Sequence, residues 1–143
     1  MSLPRVCAAL AVLGLLSSCH NVHSDVDRKA DLGSYRHVYV ERELSDGRHL
    51  DQMLARRLVA MGYDASSGPL TLMPEDTQAI IAYQARWTFD FTTYLIELDL
   101  AVRDAKTGRE IAVSRYFKPA LLATDPAKIA AQTLRIFPDR SGR

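Results

Sequence analysis

The sequence predicts an α+β fold, a two-layer sandwich in which a mixed sheet of four to five strands carries two helices on one face. Three patterns lead there. Between Ile81 and Val102 apolar side chains recur at every second residue in two long runs, the mark of half-buried strands. Between Leu50 and Met61 they recur at steps of three and four, the mark of an amphipathic helix. Asp125-Pro126, a cap residue followed by a first-turn proline, opens a second helical stripe through Ile129, Thr133, Ile136 and Phe137.

In chain order, Val6 to Leu16 come first: an apolar run behind a single positive charge, Arg5. A membrane-spanning helix needs ~20 apolar residues, and this run stops well short of that. It closes on Leu16-Ser17-Ser18-Cys19, which resembles the lipobox of bacterial lipoproteins. The resemblance implies cleavage before Cys19, a diacylglycerol on its sulfur and an acyl group on the new amino terminus. Two or three acyl chains make a durable anchor where one is marginal. His20 follows, not the aspartate that retains enteric lipoproteins in the inner membrane, so the resemblance implies the periplasmic face of the outer membrane.

On this reading residues 1–18 are a lipoprotein signal peptide, 19–34 the lipidated cysteine and a flexible tether, 35–138 a single periplasmic domain and 139–143 a loose tail. Cleavage leaves 125 of the 143 residues, enough for one compact domain. Arg5 is the only charged residue removed, so 18 basic residues become 17 against 17 acidic ones. A neutral chain with no basic block excludes a backbone-binding role on nucleic acid. The two cysteines are Cys7, lost with the leader, and Cys19, consumed by lipid. No thiol is left for a disulfide, for catalysis or for metal.

The segment from His20 to Ser34 is polar, carries both charges and has no apolar period, hence the expectation of a tether with a reach of roughly 20 Å. His20 and His23 alone fall short of the three or four donors a zinc site needs. Tyr35 to Arg42 alternates around Val38 and Val40 and predicts a first strand, with His37 and Glu41 on its other face. Leu50, Met53, Leu54, Leu58 and Met61 then form the helical stripe, with Asp51, Arg56 and Arg57 elsewhere on the wheel. Asp46 is its cap and Gly62 its left-handed terminator. Tyr63 to Ser66 suits a short strand, and the Pro-rich stretch from Ser67 to Gln78 an excursion over one edge.

The strand from Ala79 to Phe91 turns Ile81, Tyr83, Ala85, Trp87, Phe89 and Phe91 to one face. With a two-residue turn at Thr92-Thr93, Phe91 lies opposite Tyr94, Phe89 opposite Ile96, Trp87 opposite Leu98 and Arg86 opposite Asp99, so that both apolar sets coincide. A second hairpin through Ala105 to Gly108 pairs Val102 with Ile111 and Arg103 with Glu110. It also puts Arg115 on the apolar face opposite Leu98, which only a bulge or a frayed end reconciles.

The lipobox, the strand Tyr83-Gln84-Ala85-Arg86-Trp87-Thr88-Phe89-Asp90 with Thr93-Tyr94-Leu95 after it, and the hairpin exit Thr107-Gly108-Arg109-Glu110-Ile111-Ala112 resemble uncharacterised small lipoproteins of Gram-negative bacteria. The element order is more loosely similar to the lipopolysaccharide-assembly lipoprotein and the N-terminal domain of the periplasmic TolB protein. No catalytic residue is implied.

Three functions compete on this sequence. The first is a lipid-anchored, non-catalytic binding or assembly partner, held in the bilayer through Cys19 and docking an envelope protein on Gln84, Arg86, Thr88, Glu97, Asp99, Arg103 and Glu110, the polar sheet face. The second is a small-ligand module with an apolar pocket between sheet and helices, where Tyr83, Trp87 and Phe89 would line it. The third is an enzyme, whose donors would be His37, His49, Asp90 and Asp99, but no nucleophile elbow, metalloprotease helix or phosphate loop is present. No cofactor and no metal is expected.

Overall fold

The computed structural model describes residues 22–118 and 123–142. The leader and Cys19, with its expected lipidation, lie outside them. The elements are β1 (Val22–Val26), β2 (His37–Glu41), α1 (Leu50–Ala60), β3 (Asp64–Gly68), a 3-10 turn (Leu70–Leu72), β4 (Ala79–Asp90), β5 (Thr92–Asp104), β6 (Glu110–Phe117), α2 (Pro126–Thr133) and a closing 3-10 turn (Leu134–Ile136). The strands form one mixed sheet in the order β1-β6-β5-β4-β2-β3. The fold is thus the α+β one, with six strands where four to five were expected.

Both helices cover one face of the sheet. Val38, Val40, Ile81, Leu98, Leu100, Val102 and Ile111 meet Leu54, Leu58, Ile129, Ala130 and Leu134 there in a single buried cluster. Fully burying one such aliphatic side chain is worth ~1.5–3 kcal/mol, so this layer holds the sheet rigid. Helix α1 ends as its sequence predicts. Gly62 has φ 89, and the N–H groups of Tyr63 and Gly62 donate to the carbonyls of Leu58 and Val59 at 3.1 and 3.0 Å, a paired C-terminal closure. Its start departs from a simple cap. His49 holds the capping position at φ 57, while Asp46 accepts from the Leu50 N–H at 2.7 Å from three residues further out.

Strand β3 runs parallel to β2 on one side and β4 parallel to it on the other, so residues 69–78 must return across β2. They do so on the face opposite the helices, not over an edge. Tyr39 points away from Val38 and Val40, is only 2% exposed, and donates its hydroxyl to the Pro69 carbonyl at 2.8 Å. Gly68 permits that approach, since a Cβ there would lie 2.9 Å from the Tyr39 hydroxyl.

Four expectations are corrected. Of the tether expected over 19–34, the described part from Val22 on is structured: β1 pairs antiparallel with β6, Val22 and Val26 pack on the core, and Leu32 is buried. The tail expected to be loose over 139–143 is pinned at Arg140, which donates to the Gly33 and Tyr35 carbonyls at 3.2 and 3.1 Å and lies over the Tyr63 ring.

The β4–β5 register is also different. The chain reverses at Phe91, φ 57, and a bulge follows between Arg86 and Trp87, so Trp87 faces Leu95, Ala85 faces Leu98 and Arg86 faces Glu97. Leu95 therefore takes the core position expected for Ile96. Phe89 and Phe91, placed in the core by simple alternation, are 75% and 98% exposed, and Trp87 is half-buried under Arg48, 4.6 Å from its ring. Fourth, Val102 faces Ala112 in place of Ile111; the bulge that Arg115 required lies between Val102 and Arg103 and turns Arg115 outward to face Asp99. Neither helix is long and apolar enough to cross a membrane.

Candidate functional site

The face of the sheet away from the helices carries the candidate residues, and the register arranges them in rows. One row runs Phe117, Glu97, Arg86; the next runs His23, Arg115, Asp99, Gln84; a third runs Asp25, Val113, Ala101, Ala82; a fourth runs Glu110, Arg103, Ile80, Tyr39. Strand alternation forces this, because every second residue is committed to the core.

Three ion pairs organise the charges. Arg86 reaches Glu97 at 2.7 Å. Arg115 donates from Nε to both Asp99 oxygens at 2.8 and 2.9 Å, and this contact holds the guanidinium above its ordinary pKa. Arg103 reaches Glu41 at 2.9 Å. Arg86 was expected against Asp99 and Arg103 against Glu110. The first pairing is replaced through a two-residue shift in register; the second is kept, with Glu110 opposite Arg103, while the Arg103 guanidinium makes its ion pair with Glu41. Thr88 faces Tyr94 on the part of β4 that projects past the bulge, apart from the other six.

Between the charged rows lies a row of small residues that sequence reasoning did not single out. Ala82, Ala101 and Val113 form the floor of two adjoining hollows on this face. One, of about 520 Å³, is bounded by Gln84, Asp99, Arg115 and His23. The other, of about 490 Å³, is bounded by Glu41, Arg103 and Leu44. Both share Glu43, Ala82, Ala101 and Glu110. The result is a trough across the strands with a small-residue floor and charged walls. Its signal in the sequence is the pair of alanines, Ala82 and Ala101, at outward positions where long polar side chains are the rule.

The loop from Arg42 to Arg48 walls one end of the trough and is held in place by a buried network. Tyr83 donates to Asp46 at 2.6 Å and accepts from the Glu43 N–H at 3.4 Å. Burial, reinforced by the Asp46 carboxylate, pushes the Tyr83 phenol well above its ordinary range. Burial works against ionised Asp46, yet hydrogen bonds from Tyr83, Arg48 and Leu50 prevail and hold its carboxyl below the usual value. Asp51, placed on the solvent side of the helical wheel, is fully buried and paired with Arg42 at 3.0 Å.

The residues an enzyme would need are not brought together. His37 lies between Asp64 and Asp76 at 3.1 and 3.4 Å, His49 is at the start of α1, and Asp99 is engaged by Arg115. Asp90 sits at the hairpin tip, opposite Thr92 and roughly 23 Å along β5 from Asp99. No group of three His, Cys, Asp or Glu among the described residues is placed to hold a metal ion. The layer between sheet and helices, where a ligand pocket was the alternative expectation, is occupied by Leu54, Leu58, Ile81, Leu98 and Ile129, each with no exposed surface.

No family model and no curated protein matches the sequence. Among solved structures the chain is similar to the PelC dodecamer from Paraburkholderia phytofirmans at 14% identity, with a TM-score of 0.60 over 83% of this chain and 98% of that one. It is similar to a PDZ domain protein from Parabacteroides distasonis at 8% identity and a TM-score of 0.52, over 82% of this chain and 34% of that one. It is also similar to a DUF4136 family protein from Bacteroides thetaiotaomicron at 14% identity and a TM-score of 0.50, over 79% of this chain and 92% of that one. At such identities the likeness is one of fold.

Proposed function

We propose that this chain is a lipid-anchored envelope protein of the outer membrane that works without catalysis, as a binding or assembly partner docking another envelope component on the outer face of its sheet. The observation that carries this reading is the trough: small residues Ala82, Ala101 and Val113 between rows of paired charges, on strands whose opposite face is fully packed. A rigid face of this kind presents side chains in fixed positions, and its charges give orientation and selectivity more than raw affinity. The lipobox-like Leu16-Ser17-Ser18-Cys19 supports the anchor. The PelC neighbour is a dodecamer, so self-association is the arrangement to separate from docking of a different protein.

The test is the reciprocal exchange Arg86→Glu with Glu97→Arg, which keeps an ion pair at the same place but reverses its direction. Exposed pairs contribute only ~0–1 kcal/mol, so the melting temperature should hardly move. The wild-type chain, extracted from membranes in mild detergent, should co-purify with a defined partner that the exchanged chain loses. Mass spectrometry of that complex tells a second copy from another protein. An identical co-purifying set for both chains overturns the reading.

A further inference from the structure

The exposed phenylalanines are not scattered over the surface. Strands β2, β3, β4 and β6 all point the same way, since β2 is parallel to β3 and β4, and β5 is antiparallel to both β4 and β6. Their C-terminal ends therefore define one end of the sheet. Phe89 and Phe91 lie at the end of β4, which projects furthest, and Phe117 at the end of β6, whereas Leu44 borders the trough and Leu70 and Leu72 begin the return across the outer face. All three phenylalanines exposed among the described residues therefore lie at this end. Single exposed apolar residues need no explanation, but a set gathered at one end marks an interaction surface.

Strand β1 begins at this same end, because Val22 lies opposite Tyr116, which lies opposite Leu98. Cys19 is only three residues before Val22, so its Cα is at most about 11 Å from that of Val22. The β4–β5 hairpin continues seven residues past Leu98 to Phe91, which is roughly 23 Å along the strand. With the strands upright, the hairpin reaches beyond the level at which an acyl chain on Cys19 enters lipid.

From these placements we infer that this end of the sheet is a lipid-contact surface, with Phe89 and Phe91 at the hairpin tip set into the interfacial layer of the membrane that holds Cys19. The inference rests on the proposed lipidation of Cys19. Aromatic side chains favour the boundary between headgroups and acyl chains, where apolar faces are buried ~5–10 Å deep. Asp90, beside Phe91, keeps its carboxylate among the headgroups and limits the depth. Phe91 is also held at φ 57, a left-handed conformation costly for a bulky residue, and strain kept at an exposed tip is characteristic of a functional position. The outer face, at right angles to this end, stays free for a partner.

The test uses the full acylated chain in phosphatidylethanolamine–phosphatidylglycerol vesicles. With Cys19 acylated and the leader removed, Phe91→Cys introduces the sole thiol for a nitroxide label, and Lys106→Cys labels the opposite end. Thr92→Cys, exposed beside the tip, is a second reporter that leaves both phenylalanines intact. The expected result is a several-fold higher ratio of oxygen to water-soluble nickel-chelate accessibility at 91 and 92 than at 106. Equal ratios on vesicle-bound, acylated chain overturn the lipid contact alone. Low accessibility to both reagents at 91 also overturns it, in favour of a protein contact. A chain without acyl groups on Cys19 by mass spectrometry, and absent from the vesicles, overturns the anchor and the contact together.

Discussion

Asp46 shows how one side chain ties local structure to the candidate site. Its carboxylate accepts from the Arg48 and Leu50 N–H groups at 2.7 Å and from the Tyr83 hydroxyl at 2.6 Å, so it starts α1 and fixes the loop that walls the trough. Asp46→Asn loses the charge that strengthens these bonds, and Asp46→Ala loses the cap altogether, at ~1 kcal/mol. Because the folded carboxyl is held below its ordinary value, its contribution is complete above the unfolded pKa of ~3.9 and is lost as pH falls through the folded value. Acid unfolding followed by circular dichroism should therefore show a shallower loss of stability below about pH 4 in Asp46→Asn than in the parent. Unchanged pH dependence would show that the carboxylate is not held in this network.

The secondary elements were legible in unequal measure, and the reasons are physical. Leu50, Leu54 and Leu58 announce α1, and Gly62 its end, because period and terminator agree. The alternation in β4 and β5 announces a hairpin. It cannot announce the one-residue reversal at Phe91 or the bulge that adds Ile96 to β5 alone, which together shift the register by two residues and leave both faces chemically plausible. That is why Ile96 and Leu95 exchanged roles and Arg86 found Glu97. Strand β1 was illegible because an edge strand wears charge and polarity on its outer side, and Val22 and Val26 alone give no period.

Arg140 was illegible for another reason: its partners, the carbonyls of Gly33 and Tyr35 and the ring of Tyr63, are backbone and distant in sequence. Arg140→Ala should cost about 1.5–3 kcal/mol, the range for hydrogen bonds to a charged group, as read by denaturant unfolding. A variant as stable as the parent would mean that the tail contributes nothing to the domain.

Taken whole, the molecule separates three tasks among three surfaces. The helices bury one face of the sheet and make it stiff. The end where β1 begins carries Phe117 and, on the projecting β4–β5 hairpin, Phe89 and Phe91, the surface proposed to meet lipid. The outer face offers paired charges around Ala82 and Ala101, and the sequence disclosed those charges but not the floor between them, since alanine carries no chemistry of its own. Docking on that face is tested most directly by photo-crosslinking in intact cells, with the reactive residue at Gln84 in the trough wall and, as control, at Gln52, exposed on α1. The result expected is a discrete adduct from position 84, absent from 52 and lost when Arg86→Glu and Glu97→Arg are combined. The same adducts from both positions, or none from position 84, would contradict it.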